Sequence, residues 1–369
     1  SFRQWVETMS KPRLLIIGPD PMRSLGGMAT VTRNMLESDV LKREYDLEMY
    51  SSFIDGPLYR RVAYSMAREA KFHLRQPSFD ICHVHICSAT STWRKLRYIR
   101  SLGDGVSRVV LHVHGGKYDV FWNSCSDRQK EVIRGLCASV AKVIVLSEEW
   151  RAFFVGNQIC DSSKIVVLHN AVELPAEPVD VSACQDVLFL GRLGTCKSPD
   201  ILLYASKAVL KAHPEVRFRF AGDGDVAKYK TLAMDLGIAD SCEFLGWVTG
   251  EQKESAIRKS GIYCLPSRHE GMPMSVLEAM SFGMATIATP VGGVPQIIQN
   301  GFNGYMVPVG DSRMLSQRIC ELLDDESLRK AIGRNGRATI SMRFGMEKYV
   351  KSLLELYASV RNPSMVIGE

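Results

Sequence analysis

The ten cysteines of this sequence include no CxxC pair. A chain of 369 residues needs no disulfide framework, so a reduced, cytoplasmic setting is expected. No apolar run approaches the roughly 20 residues that cross a bilayer. The opening stretch SFRQWVETMSKPRLLIIG has no small-residue cleavage site, which argues against export. Low-complexity segments are missing too. Gly26 and Gly27, in GPDPMRSLGGMATVTRNML, do not have the G-x-G-x-x-G spacing of a dinucleotide site.

What is present is an ordinary globular composition, 46% hydrophobic and 23% charged, on a chain long enough for two cores. Short apolar runs alternate with amphipathic stretches: RLLIIG (13–18), ICHVHI (81–86), RVVLHVHG (108–115), KVIVLS (142–147) and KIVVLHN (164–170). These read as buried strands of a doubly wound parallel sheet. AVELPAEPVDVSACQ (171–185), with three prolines and little periodicity, is the linker candidate. A second series follows: DVLFLGRL (186–193), VRFRFAGDG (216–224), CEFLGWV (242–248), GIYCLPS (261–267) and MATIATP (284–290). The division expected is therefore 1–173, a linker over 174–185, 186–343, and a C-terminal segment 344–369. That segment places Tyr349, Leu353, Leu356, Tyr357 and Val360 on one helical face, which can pack back on the first domain.

The net charge of +6 comes entirely from the N-terminal half: residues 1–175 hold 24 Lys/Arg against 18 Asp/Glu. Nine cations fall within 59–100: Arg60, Arg61, Arg68, Lys71, Arg75, Arg94, Lys95, Arg97 and Arg100. Only Glu69 and Asp80 oppose them. A solvated helix face is one reading; a surface for anionic lipid or a phosphorylated acceptor, with Arg60, Arg61, Arg94 and Lys95 as its residues, is the other. No aromatic interleaving or recognition motif accompanies the charge, so nucleic acid is not the expected partner.

Gly26 and Gly27 open a helical pattern, where backbone amides favour an anion. Arg192 and Lys197, just past a strand end in FLGRLGTCKSPDIL, suit a diphosphate. AGDGD (221–225) resembles an Asp-x-Asp metal motif, but Gly222 and Gly224 at a strand end favour a tight turn. His83/His85 and His112/His114 could face one another in adjacent strands as a zinc site. A buried strand face is a poor place for an open metal site, however, and no metal is expected. His114 differs in sitting at a strand end, before Gly115 and Gly116. In SRHEGMPMSVLEAMSFG, Glu278 follows Ser275 by three residues and reads as a capping box; that leaves Glu270 unexplained.

The ordered set GGM after the first strand, HGG (114–116), GRL with Lys197, AGDG (221–224), FLGWV (244–248) and EGMPMSVLEAMSFG (270–283) resembles the retaining glycosyltransferases of family 4. The resemblance implies the GT-B architecture: two Rossmann-like, doubly wound parallel-sheet domains facing a central cleft. It also implies roles. Glu278 would accept from the nucleotide ribose, and Glu270 would lie near the donor sugar. Gly271, Met272, Pro273, Met274, Ser275 and Val276 would present a helix N-terminus to the phosphates, with Gly222 and Trp247 also lining the donor site. Arg192 and Lys197 would neutralise the diphosphate, Gly26 and Gly27 would close on it, and His114 would bond the sugar or acceptor.

Transfer with retention, by front-face attack through an oxocarbenium-like state, is the mechanism implied. It needs no metal or other cofactor, because two cations and helix-end amides stabilise the leaving group. The expected partners are a nucleotide-diphosphate sugar, UDP-linked before GDP-linked, and a glycan or lipid-linked acceptor met at the inner face of the membrane. A sugar-nucleotide epimerase of the same architecture is the rival enzyme, needing further carboxylates such as Asp119. A non-catalytic sugar-nucleotide-binding protein is the rival of another class.

Overall fold

The computed structural model describes residues 11–75 and 77–362; the first ten residues, on which the export expectation partly rests, lie outside them. Two compact units emerge. One runs to His169 and takes in the chain from Glu347 onward; the other is Asn170–Met346.

The first unit is built on β1 (Arg13–Pro19), β2 (Asp46–Phe53), β3 (Ile81–Ile86), β4 (Val109–Val113), β5 (Lys142–Val145) and β6 (Ile165–Val167). All pair in parallel, in the order β2-β1-β3-β4-β5-β6. β1, β3 and β4 are buried almost throughout, which is why they read as unbroken apolar runs. β2 is an edge strand with a half-exposed pattern, so DLEMYSSF showed no such run and was not expected as a strand. The sheet reverses direction between β1 and β3, and loops leaving the carboxyl ends of strands at such a point are where ligands settle.

The second unit holds β7 (Val187–Leu190), β8 (Phe218–Ala221), β9 (Cys242–Gly246), β10 (Ile262–Leu265), β11 (Ala285–Ala288) and the two-residue β12 (Tyr305–Met306). Their order is β12-β11-β10-β7-β8-β9, again parallel. Here the reversal lies between β7 and β10. The GRLGTCK and SRHEGMP segments leave those two strands.

The Pro-rich stretch expected as a linker packs on the second unit. Val179 donates its amide to the Phe282 carbonyl at 2.7 Å, Arg329 reaches the Val181 carbonyl at 2.8 Å, and Arg337 reaches that of Pro175 at 2.7 Å. The final helix, Met346–Arg361, belongs to the first unit. It buries Tyr349, Leu353, Leu356, Tyr357 and Val360, each side chain contributing about 1.5–3 kcal/mol as apolar area leaves water. Tyr357 is hydrogen-bonded through its hydroxyl to His83 Nδ1 at 2.7 Å, and its ring meets Tyr45 edge-on at 5.6 Å. No helix of the described residues is long and apolar enough to cross a membrane.

Candidate active site

At the reversal of the second sheet, two lysine–glutamate pairs flank the start of one helix. Lys197 lies in the loop after β7, and its ammonium donates to both oxygens of Glu270, at 2.6 and 2.7 Å. Ser267 donates to the same carboxylate at 2.6 Å. Glu270 is only 6% exposed, and a buried carboxylate of this kind persists because its lone pairs are used. The ammonium keeps its third N–H.

Between Glu270 and Glu278 runs the turn GMPM, and the helix Met274–Ser281 starts on Pro273 with no side-chain cap. The Ser275–Glu278 capping box therefore does not form. Proline's fixed φ, here −71°, puts it at the cap and moves Ser275 inside the helix. The amides of the first turn consequently have no side-chain acceptor. Glu278 turns instead to Lys253, whose ammonium it accepts at 2.8 Å through Oε1; the other oxygen remains for a second donor. Gly271, Met272, Pro273, Met274 and Val276 are buried and Ser275 half-buried, so the turn offers a ligand its backbone.

Two glycine turns hold this loop set together. A Cβ on Gly222 would stand 1.8 Å from the Gly191 carbonyl oxygen, so only glycine lets the AGDGD turn seat against the loop that carries Arg192. On the other side, Gly292 (φ +55°) lies under the Glu270 carbonyl, where a Cβ would be 2.0 Å away, and Gly293 donates to the Gly271 carbonyl at 2.6 Å. Arg192 points outward, 71% exposed at its side chain with only a 3.9 Å approach to Asp223. It is not gathered with Lys197. Trp247 follows Gly246 beyond β9, half-buried, and its indole N–H is buried without a partner among the described residues.

Sequence reasoning missed four residues of this site. Lys253 sits on the helix Gly250–Arg258, 25 residues from Glu278, and no local spacing announces that pairing. Ser267 supports Glu270. Gly292, in VGGVPQ after β11, carried the one available signal, a glycine pair at a strand end. Asn170 donates through its amide to the Met272 carbonyl at 2.9 Å, while its Oδ1 is buried without a partner among the described residues.

The first unit carries the other expected residues at the carboxyl edge of its own sheet. Gly26 (φ 100°) caps the helix Gly27–Glu37 with no side-chain bond. His114 belongs to a cluster of four histidines: His83 Nε2 meets His112 Nδ1 at 3.0 Å and His85 Nδ1 meets His114 Nε2 at 2.8 Å. His83, His85 and His112 are fully buried. One ring nitrogen from each of these three lies within 4.8 Å of the others. His85 Nε2 and His112 Nε2 have no hydrogen-bond partner among the described residues, whereas both ring nitrogens of His83 are engaged, so a cation would have to displace a bond of His83. Burial holds His83 and His114 down to about 3 and pushes His85 and His112 well below the usual histidine range. Burial thus disfavours the protonated form of all four rings.

The basic segment is not one array. Lys95, expected on a lipid- or acceptor-facing surface, is 1% exposed because the helix Thr90–Arg100 turns that face onto the sheet. Arg97 is bonded to Glu69 at 2.5 and 2.8 Å, and Arg75 approaches Glu48 at 3.7 Å. Arg60 is exposed; Arg61 and Arg94 are half-buried.

Family models match both units: "Glycosyltransferase Family 4" over residues 26–175 and "Glycosyl transferases group 1" over 183–339. An uncharacterized glycosyltransferase of Methanocaldococcus jannaschii is 29% identical over 252 residues, 67% of either chain. The UDP-Gal:alpha-D-GlcNAc-diphosphoundecaprenol alpha-1,3-galactosyltransferase of Escherichia coli is 25% identical over 77% of this chain and 76% of its own. Among solved structures, HepE of Anabaena, in complex with UDP and glucose, superposes with a TM-score of 0.73 at 18% identity, covering 94% of this chain and all of that one. The fold is that of the GT-B glycosyltransferases.

Proposed function

Because the chain belongs to the glycosyltransferases of group 1 and family 4, we propose that it moves a sugar, with retention, from a UDP-sugar to a hydroxyl of a glycan or lipid-linked acceptor. The observation that carries this is the uncapped helix start at Met274, set between the Lys197–Glu270 and Lys253–Glu278 pairs. Amides of that turn and the third N–H of Lys197 bind the diphosphate. Arg192, exposed and held only by its 3.9 Å approach to Asp223, swings onto it. As the bond to the anomeric carbon breaks, negative charge grows on the leaving oxygen, and donors already held in place stabilise it without reorganising. The free oxygen of Glu278 takes the ribose hydroxyls. UDP as the carrier is supported by the ligand of HepE and by the donor named for the E. coli relative. That relative's acceptor is a lipid diphosphate. Here the helix Leu58–Arg75 exposes Leu58, Tyr59, Val62 and Met66 beside Arg60, a composition suited to a membrane surface.

Glu278→Ala should weaken UDP binding roughly ten- to a hundredfold, the value of a hydrogen bond to a charged group. Calorimetry on the folded variant checks this; an unchanged Kd removes the ribose assignment. Transfer should also persist in excess EDTA, since lysines and helix-end amides supply the countercharge. Activity abolished by EDTA and restored by Mn²⁺ or Mg²⁺ would contradict metal-independent transfer.

A further inference from the structure

Three cations of the first unit stand together without an acid. Arg61 and Arg94 both rest over the ring of Phe53, at 5.1 and 4.7 Å, at the carboxyl end of β2. The Nε of each is buried with no hydrogen-bond partner among the described residues. Next along the helix, Lys95 turns inward and donates to Ser52 Oγ; Ser52 in turn donates to the Gly18 carbonyl at 2.8 Å. None of the three forms an ion pair among the described residues. Glu69, the acid felt by Arg94, is committed to Arg97, and the Asp55 carboxylate accepts the Leu25 amide at 2.7 Å. Burial, and then the charge of Arg94, holds the Lys95 ammonium well below the usual lysine range.

Crowding like charges in a partly dry place is unfavourable unless something of opposite sign arrives. A solvated helix face spreads its cations apart. This cluster instead gathers them at the carboxyl edge of β1 and β2, beside the sheet reversal where such folds take ligands.

We propose that Arg61, Arg94 and Lys95 form a binding site for a phosphate or diphosphate group carried by the acceptor, an inference that rests on the reading of this chain as a glycosyltransferase. Arg61 and Arg94 touch the anion with their planar forks, and Lys95 braces the site from behind through Ser52 and the Gly18 carbonyl. The anion comes either from a lipid-linked diphosphate or from a soluble sugar phosphate; the chemistry that binds it is the same.

The test is calorimetric titration of the full chain with inorganic pyrophosphate while UDP is saturating. It compares wild type, Arg61→Gln, Arg94→Gln, the double variant and Arg94→Lys. Wild type should bind pyrophosphate beside UDP. Each Gln variant should weaken that binding about tenfold and the double variant further, whereas Arg94→Lys keeps most of it. UDP affinity and melting temperature should stay level, which separates a lost site from a lost fold. Equal pyrophosphate affinity in wild type and double variant, or none in wild type, overturns the proposal. Failure of wild type to bind UDP tells instead against the donor site, and the pyrophosphate difference between variants is read independently of it. Neutral phosphatidylcholine vesicles bearing farnesyl diphosphate, set against glucose 1-phosphate in solution, identify the source. Binding lost in the double variant supports the site in either arm; binding of both ligands that ignores the substitutions overturns it.

Discussion

Lowering the pH from 7 to 5.5 should destabilise the first unit by about 2 kcal/mol through His83 and His114 alone. Both are held at about 3 in the folded chain, against an ordinary value near 6.5. Between these values the unfolded chain binds protons that the folded chain refuses, so stability rises with pH across the window. It is fully present above about pH 6.5 and lost as pH falls toward 3. At pH 5.5 each such group costs on the order of 1 kcal/mol. His85 and His112, lowered in the same direction, add to the loss. Against a usual total of 5–15 kcal/mol, this is a large share. Most carboxylates stay ionised above pH 5.5, which keeps the window clean. Urea midpoints followed by tryptophan fluorescence would read it, since Trp93, Trp122 and Trp150 all lie in the first unit. Midpoints that do not move between pH 7 and 5.5 would mean that the four rings are not held neutral by burial.

Lys197→Ala should slow sugar transfer by about a hundred- to a thousandfold, the usual loss when one donor to a developing oxyanion is removed, with UDP affinity changed far less. The lysine is also the counterion of Glu270, which is 6% exposed. Leaving that carboxylate with only Ser267 costs stability as well, on the order of 3–5 kcal/mol if it stays ionised. A second variant separates the two effects. Lys197→Met with Glu270→Gln removes the orphaned charge and should regain most of the melting temperature while the rate stays low. If the rate returned with the stability, Lys197 would be a structural counterion and the diphosphate would be served by Arg192 and the helix amides.

The sequence alone determined the two sheets, because strands buried on both faces must be apolar throughout and such runs stand out from the helices between them. β2 and β12 escaped for the same reason, as edge strands that need no unbroken run. The turn GMPM and its two glutamates were also legible, since a glycine–proline turn before a helical pattern is a local signal. Tertiary structure decided what those glutamates do. Ser275 and Glu278 have the spacing of a capping box, but Pro273 takes the cap, and Glu278 finds Lys253 from another helix. Glu270 gains its charge partner from the loop after β7, 73 residues away. Burial decided the cations too: a run of nine reads as one basic face, yet Lys95 is turned inward, Arg97 is paired with Glu69, and Arg61 and Arg94 meet over one phenylalanine ring. Ion pairs between elements and the depth of a charge below the surface follow from which faces pack together, and no local spacing encodes that.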